Sequence, residues 1–418
     1  MTRQSGVSDG TKVAEYASLA RAVRQRAELA DALRRRIYGT DIGGVADSLW
    51  AELAASESAL RDALAEQGRM ARESSAGLIL SAGPAAARDS TLGRDTTGLQ
   101  ADVQLRMERV PTSVVHLLDP NGQPLTTTQV RNTSTRTRRM RVTCSVEGYS
   151  ASAVTTVEVP RRMTAAVHQL PTFFPDRLRQ VTELARATLH VCVDDLDGNQ
   201  ETHATARLWL LARNTACLQV TDPTTGSQID LTCYLAAWVT PHAEAVLHAL
   251  RDAVDHHPQR IIAGYQGDAR FVDSQIEAMY AALQASEITY VNSVICFGQT
   301  HDEAMQKVRL PRESLAERSA NCIDGTVLFA SLAEAASLNP GIALVPGHAF
   351  LAWQPEPGGQ WDYLETTMMA DHTFDEARAA GRRLASINRS LKDSTGRPLL
   401  DIISLADARV VHGVVPME

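Results

Sequence analysis

The sequence predicts a multidomain chain of mixed α and β structure. It comprises an N-terminal α-helical hairpin, a central β-sandwich-like domain and a C-terminal α+β domain. Three observations carry that reading. Apolar residues recur every three or four positions in the first part of the chain, short Val- and Thr-rich runs broken by turn sequences begin near Pro111, and residues 318–369 set a cysteine at a helix start ahead of a histidine-bearing strand. At roughly 100–200 residues per domain, a chain of 418 residues has room for two to four such units.

The N-terminal stripe runs through Val13, Tyr16, Leu19, Val23, Ala27, Ala30, Leu33 and Ile37, one face of a helix. Tyr38-Gly39-Thr40-Asp41 interrupts it, with Gly39 suited to end one helix and Thr40 or Asp41 to cap the next. Val45, Leu49, Leu53, Leu60 and Leu64 resume the pattern, so residues 1–73 read as a hairpin or short coiled-coil arm, a packing or association element. Residues 74–110 are rich in Ser, Gly, Ala and Thr and read as a linker.

Residues 111–229 read as the β-rich domain. Strand-like runs fall at 112–118, 126–130, 138–148, 152–159, 188–195 and 206–213, with turns at Asp119-Pro120-Asn121-Gly122 and Asp197-Gly198-Asn199-Gln200. Residues 175–187 read as an inserted helix. The basic run Arg131, Arg136, Arg138, Arg139 and Arg141 lacks interleaved aromatics for base stacking and reads as a solvated strand face.

Composition narrows the function classes. The chain is 44% hydrophobic and 22% charged, ordinary globular usage, which excludes global disorder and a fibrous repeat. Lys plus Arg number 41 against 49 Asp plus Glu, a net charge of −8 that gives no overall pull toward nucleic acid. No apolar run approaches the roughly 20 residues of a membrane span, and the N-terminus has no secretory apolar core, so a cytoplasmic protein without a membrane partner is expected. The 6 cysteines form no CxxC pair, which argues against a zinc ribbon and a disulfide scaffold. No metal and no cofactor are expected. Asp195-Leu196-Asp197-Gly198-Asn199 resembles a calcium loop, but that loop needs its Gly at the sixth position, where Gln200 stands. His256 and His257 are adjacent, about 100° apart on a helix, and cannot chelate together.

The chemistry concentrates in residues 318–369. A helical stripe of Ile323, Val327, Leu328, Leu332 and Ala335 follows Cys322, with Ser319 or Asn321 as N-cap and Leu338-Asn339-Pro340-Gly341 as the stop. Cys322 therefore lies in the first helical turn, where free N–H groups and the macrodipole favour a thiolate. Residues 342–345 read as a strand, Pro346-Gly347 as a bend, and His348 to Trp353 as an alternating strand with His348, Phe350 and Ala352 on one face. Trp361 to Thr367 returns beside it, which can bring Glu365 next to His348. Nucleophile, base and orienting carboxylate are thus predicted at Cys322, His348 and Glu365. The other cysteines lie in apolar or strand-like runs without a matching His and read as packing residues.

These residues resemble the transglutaminase-like, papain-fold cysteine enzymes. The resemblance rests on NCIDGTVLFASLAEA as the nucleophile helix, GHAFLAW as the histidine strand and WDYLETT in place of a Trp-containing strand ending in a D-P-T-like motif. Upstream, SQIEAMYAALQASEITYVN and VRLPRESLAERSANC fit the approach to that core, so the resemblance covers about residues 260–370 of a catalytic domain placed at 230–418. It implies Cys322 as nucleophile, His348 as general base and acid, and Glu365 as third member, where the family usually has Asp. The oxyanion would be held by the Cys322 backbone N–H and by the side chain of Gln306 or Asn321, although Gln306 departs from the family's spacing. The resemblance further implies acyl transfer on a protein or peptide through a Cys322 thioester, with hydrolysis by a protease or amidase favoured. A protein-crosslinking transglutaminase and a catalytically silent scaffold are the alternatives. The N-terminal helices would supply association with a second copy or a partner protein.

Overall fold

The computed structural model describes residues 99–198, 200–222, 228–291, 305–345, 347–392 and 396–417, together with scattered helical positions between 18 and 66. These residues form helices and several sheets, a mixed α and β composition. The chain divides into two compact units: residues 1–74, 232–301 and 307–418 form one, and residues 75–231 and 302–306 the other.

The second unit is built on two sheets. One has three antiparallel strands in the order β1 (Leu99–Leu105), β3 (Thr126–Asn132), β6 (Thr164–Gln169). The other has five, in the order β2 (Arg109–Val110), β8 (Gln200–Leu210), β7 (Ala185–Asp195), β4 (Arg138–Val146), β5 (Ala153–Val159). Side chains alternate in and out along β4 and β7, so Met140, Val142, Cys144 and Val146 are buried with Leu189, Val191 and Val193. The two sheets meet through polar as well as apolar groups. Gln169 Nε2 donates to Val142 O and Ala153 O, both at 3.0 Å, and Asn132 Nδ2 donates to Val159 O at 2.8 Å. These bonds satisfy backbone groups that burial would otherwise leave unpaired. Short strands β9 (Thr215–Cys217), β10 (Gln219–Thr221) and β11 (Gln228–Asp230) complete the element list, β10 pairing with β11.

Several sequence expectations fail in this unit. Residues 99–110 are not linker: β1 pairs along its whole length with β3, and β2 pairs with β8. Residues 112–118 hold a 3-10 turn, Val115–Leu117, in place of a strand. The helix expected at 175–187 is a single turn, Pro175–Leu178, because residues from Ala185 onward are taken up by β7, which pairs on both sides. The basic run does not form one strand face: Arg131 lies on β3, Arg136 in the β3–β4 loop and Arg138, Arg139 and Arg141 on β4, where carboxylates of the β7–β8 hairpin meet them, Arg138 with Asp195 at 2.6 Å, Arg139 with Asp197 at 2.8 Å and Arg141 with Asp194 at 2.8 Å. The described residues of the Asp195–Asn199 segment, Asp195–Gly198, turn between β7 and β8, with Asp195 Oδ1 accepting from the N–H groups of Asp197 and Gly198.

In the first unit, the described arm positions are helical, Leu33, Leu53 and Ala63 are buried, and Arg26 Nη1 donates to Ala59 O at 2.7 Å. The turn expected at Tyr38–Asp41 lies outside the described residues. The rest of the unit begins with the 3-10 segment Thr232–Trp238, helices α1 (Glu244–His256) and α2 (Ala269–Ala285), and strand β12 (Thr289–Tyr290). Strand β13 (Met305–Lys307) has residues 305 and 306 in the two-sheet unit and pairs there with β9. Helix α3 (Pro311–Glu317) and β14 (Ser319–Ala320), paired with β12, lead into α4 (Cys322–Ala335). Helix α4 is buried nearly all round, as its largely apolar sequence requires, with Asp324, Thr326 and Ser331 among the buried residues.

A four-stranded antiparallel sheet packs against α4, in the order β17 (Asp362–Leu364), β16 (His348–Trp353), β15 (Pro340–Val345), β18 (Asp401–Ser404). Helices α5 (Phe374–Ser390) and α6 (Leu405–Val410) end the unit. Helix α5 lies so close to β17 that a Cβ on Gly381 would stand 2.8 Å from the Leu364 nitrogen, and only glycine fits. Arg378 and Arg382 of α5 clasp the buried Asp362 carboxylate at 2.6 Å, and Arg378 also pairs with Asp273 of α2. Among the described residues, no helix is long and apolar enough to cross a membrane.

Candidate active site

Cys322 is the first residue of α4. Asn321 is the N-cap: its Oδ1 accepts from the Asp324 N–H at 2.8 Å, and Asp324 Oδ2 accepts from the Asn321 N–H at 3.2 Å. This reciprocal box fixes the helix start. Asp324 is fully buried and held from the other side by Arg309, through its backbone N–H at 2.8 Å and Nη1 at 2.9 Å. The Cys322 carbonyl accepts from Thr326 Oγ1 at 2.7 Å and, from the 3-10 turn Thr366–Met368, from Thr366 Oγ1 at 3.4 Å. The nucleophile candidate is therefore anchored before and after its α-carbon, and its N–H at the first helical position has no intrahelical acceptor.

His348 opens β16. Val345 pairs with His348 across a tight turn in which Gly347 has φ of 69°, a conformation that suits glycine. The ring lies against Phe350, centroids 6.1 Å apart. Its Nε2 stands 2.7 Å from Glu365 Oε2, and the Cys322 side chain is near enough to strengthen its hold on a proton. With Nε2 committed to the carboxylate, Nδ1 is the nitrogen left to exchange a proton with sulfur.

Glu365 follows β17 and is fully buried. Its Oε1 accepts from Thr367 N at 3.0 Å and Thr367 Oγ1 at 2.6 Å, which leaves Oε2 for the imidazole. The pairing Leu351↔Leu364, if continued, would set Thr367 opposite His348. Glu365 is thus a diagonal neighbour, and its longer side chain spans the diagonal that a directly opposed Asp would not need to cross.

Burial works against a charged imidazole at this position. The Glu365 carboxylate, the hydrogen bonds to Cys322 and Glu365, and the charge on the sulfur outweigh it, and His348 is pushed up to about 10. Within one unit, the structure brings together Cys322, His348 and Glu365.

The two expected oxyanion side chains fare differently. Asn321 is next to the nucleophile, with its Oδ1 engaged in the cap. Gln306 lies on β13 and belongs to the other unit, where its Nε2 is buried without a hydrogen-bond partner. Asp362, the nearest other carboxylate in sequence, is held by Arg378 and Arg382. The hydroxyls of Thr326, Thr366 and Thr367 were not anticipated. The Asn321-x-x-Asp324 spacing did carry a readable capping signal.

The other described thiols have different surroundings. Cys144 is buried between the sheets and pushed up to about 11 by burial, and buried Cys217 donates to Gln219 O at 3.2 Å. Cys192 was expected to pack, but it stands on the outer face of β7, half-buried beside Glu201 and Asp194; its burial and these carboxylates push it up to about 12. Cys296 lies outside the described residues.

No protein-family model matches the chain, and no curated protein matches it.

Proposed function

We propose that the chain is a cysteine-dependent acyl-transfer enzyme acting on a protein or peptide. In this reading the α4 unit is a transglutaminase-like, papain-fold catalytic domain, and the two-sheet unit is a sandwich-like companion. One observation supports the reading most: a continuous side-chain relay from Cys322 through His348 to a fully buried Glu365 that Thr367 holds in place.

The chemistry follows from the relay. His348 takes the proton of Cys322, and Glu365 stabilises the imidazolium. The sulfur attacks a carbonyl carbon, and the Cys322 backbone N–H faces the developing oxyanion. The tetrahedral adduct collapses, the C–N bond breaks, and His348 gives its proton to the departing amine, leaving a thioester. Water then attacks with His348 as base, which releases the carboxylate and restores the thiol.

Hydrolysis is preferred to transfer because a sheltered amine tunnel is commonly walled by aromatics. Two of the local aromatics are committed elsewhere: Trp353 is fully buried and donates to Asp273 Oδ1 at 3.2 Å, and Phe350 packs on Tyr363.

Incubating the protein with a host-cell extract and a labelled primary amine, beside the Cys322→Ala form, tests the assignment by mass spectrometry. New carboxylate ends that require Cys322 support hydrolysis. Dominant amine adducts would establish a transglutaminase, and identical products from both forms would leave a scaffold.

A further inference from the structure

The β7–β8 hairpin turns a set of metal-ligand side chains outward. Strand alternation sends Leu189, Val191 and Val193 into the core and leaves His190, Cys192 and Asp194 on the opposite face. The antiparallel register sets His203 directly across from Cys192, and Glu201 directly across from Asp194. Five donors therefore share one face of two paired strands.

The spacing of three of them, Cys192, Asp194 and Glu201, is that of ligands. Cys192 Sγ stands 3.1 Å from Glu201 Oε1 and 3.7 Å from Asp194 Oδ1, and one ligand atom from each of the three residues lies within 4.8 Å of the others. Adjacent ligands on one tetrahedral ion with bonds of about 2.0–2.3 Å sit roughly 3.3–3.7 Å apart. His190 Nδ1 meets His203 Nε2 at 3.2 Å with the rings 8° from parallel, and Glu147 Oε2 stands behind His190 at 3.5 Å. That chain fixes His203 from its Nε2 side and leaves Nδ1 of the ring for a ligand, as carboxylate–histidine pairs do behind bound metals.

Charge points the same way. Asp194 has Arg141 at 2.8 Å, whereas Glu201 makes no ion pair among the described residues and instead crowds the Cys192 sulfur. Sulfur and carboxylate oxygen at that separation share space only through a proton or a cation. A thiolate, an imidazole and a carboxylate together suit an ion of intermediate softness better than magnesium or calcium, which take oxygen ligands.

We propose that this face binds one divalent transition-metal ion of the zinc class, with Cys192, Asp194 and Glu201 as ligands and His203, oriented by His190, as the fourth. On binding, the S–H proton of Cys192 leaves to solvent and a metal–sulfur bond replaces it. The ion would staple the two strands of the hairpin across their outer face.

The test uses the full-length protein stripped with a chelator. Titration with Zn²⁺ against a chromophoric chelator should show one tight site per chain. Co²⁺ should give the charge-transfer band of a cobalt–thiolate bond. Cys192→Ser should abolish that band, His203→Ala should weaken Zn²⁺ at least about 100-fold, and His190→Ala should weaken it less. Cys322→Ala should leave both readouts unchanged, which separates this site from the relay. All three substituted strand residues face outward, and circular dichroism reports whether each variant folds. The wild-type stoichiometry decides the matter even if a variant does not. Absence of a stoichiometric site, binding only at large metal excess, or a cobalt band that persists in Cys192→Ser would overturn the proposal.

Discussion

Cys322 and Cys192 each have a histidine and a glutamate nearby, yet the order of the groups differs. At Cys322 the histidine lies between sulfur and carboxylate, so Glu365 acts on the imidazole and the imidazolium acts on the sulfur. At Cys192 the carboxylates touch the sulfur directly, and burial together with these carboxylates pushes the thiol up to about 12. One arrangement suits a nucleophile. The other suits a thiol that loses its proton only to a metal. The lesson is that residue inventory does not distinguish the two sites; the sequence of contacts does.

The largest expected difference between the two is in turnover. Cys322→Ala should lower turnover by roughly 10³-fold or more, down to background, while Cys192→Ser should leave it at the parental rate. An equal loss in both variants would break the contrast.

His348→Ala should cost roughly 10²–10⁴-fold in turnover. It also leaves the buried Glu365 carboxylate without its partner, at a cost of about 3–5 kcal/mol in denaturant unfolding. His348→Gln, which can still donate to Glu365, should recover much of that stability and none of the activity. This separates the ring's chemistry from its packing.

Glu365→Gln should cost less, about 10–100-fold by loss of the charge on the imidazolium's partner. Its sharper signature is pH dependence. His348 is raised above its ordinary 6.5, so the stability it contributes is complete below that value and is lost as pH rises through about 10. Activity that needs the imidazolium should fall across the same upper limb. Removing the carboxylate lowers the histidine, so both limbs should move to lower pH in Glu365→Gln. An unmoved limb would remove Glu365 from the site.

Thr367→Val should have the smallest effect, a few-fold in turnover and about 1 kcal/mol in stability, since it deletes one hydroxyl bond to Oε1 and keeps the backbone bond at 3.0 Å.

Much of the relay was legible because its signals are local. An Asn before an apolar helical stripe marks the start at Cys322, Gly347 marks the turn before His348, and the strand run to Glu365 is the next return. The threonines that hold the site were not legible, because Thr366 reaches the Cys322 carbonyl from 44 residues away in sequence. The misread segments in the β unit have separate causes. Residues 112–118 carry Val114 and Val115 side by side, both buried, where a half-buried strand would alternate. Residues 185–187 are recruited into β7 by their pairing with Leu208–Leu210 of β8, which outweighs their helical spacing. The outward cluster at Cys192 was half legible. Leu189, Val191 and Val193 alternate with His190, Cys192 and Asp194 in plain view, but the match of Cys192 with His203 depends on hairpin register, which no motif spacing records.

The most direct measurement is competitive alkylation of the native, metal-free protein with limiting iodoacetamide at about pH 6.5, well below the ordinary range of a free thiol, followed by mapping of the adducts. Exposure favours Cys192, because Cys322 is only 5% accessible and Cys192 is half-buried. Electrostatics favours Cys322. The relay predicts that Cys322 is labelled first and that His348→Ala abolishes this preference. Labelling of Cys192 ahead of Cys322, or a Cys322 rate unchanged by His348→Ala, would contradict it.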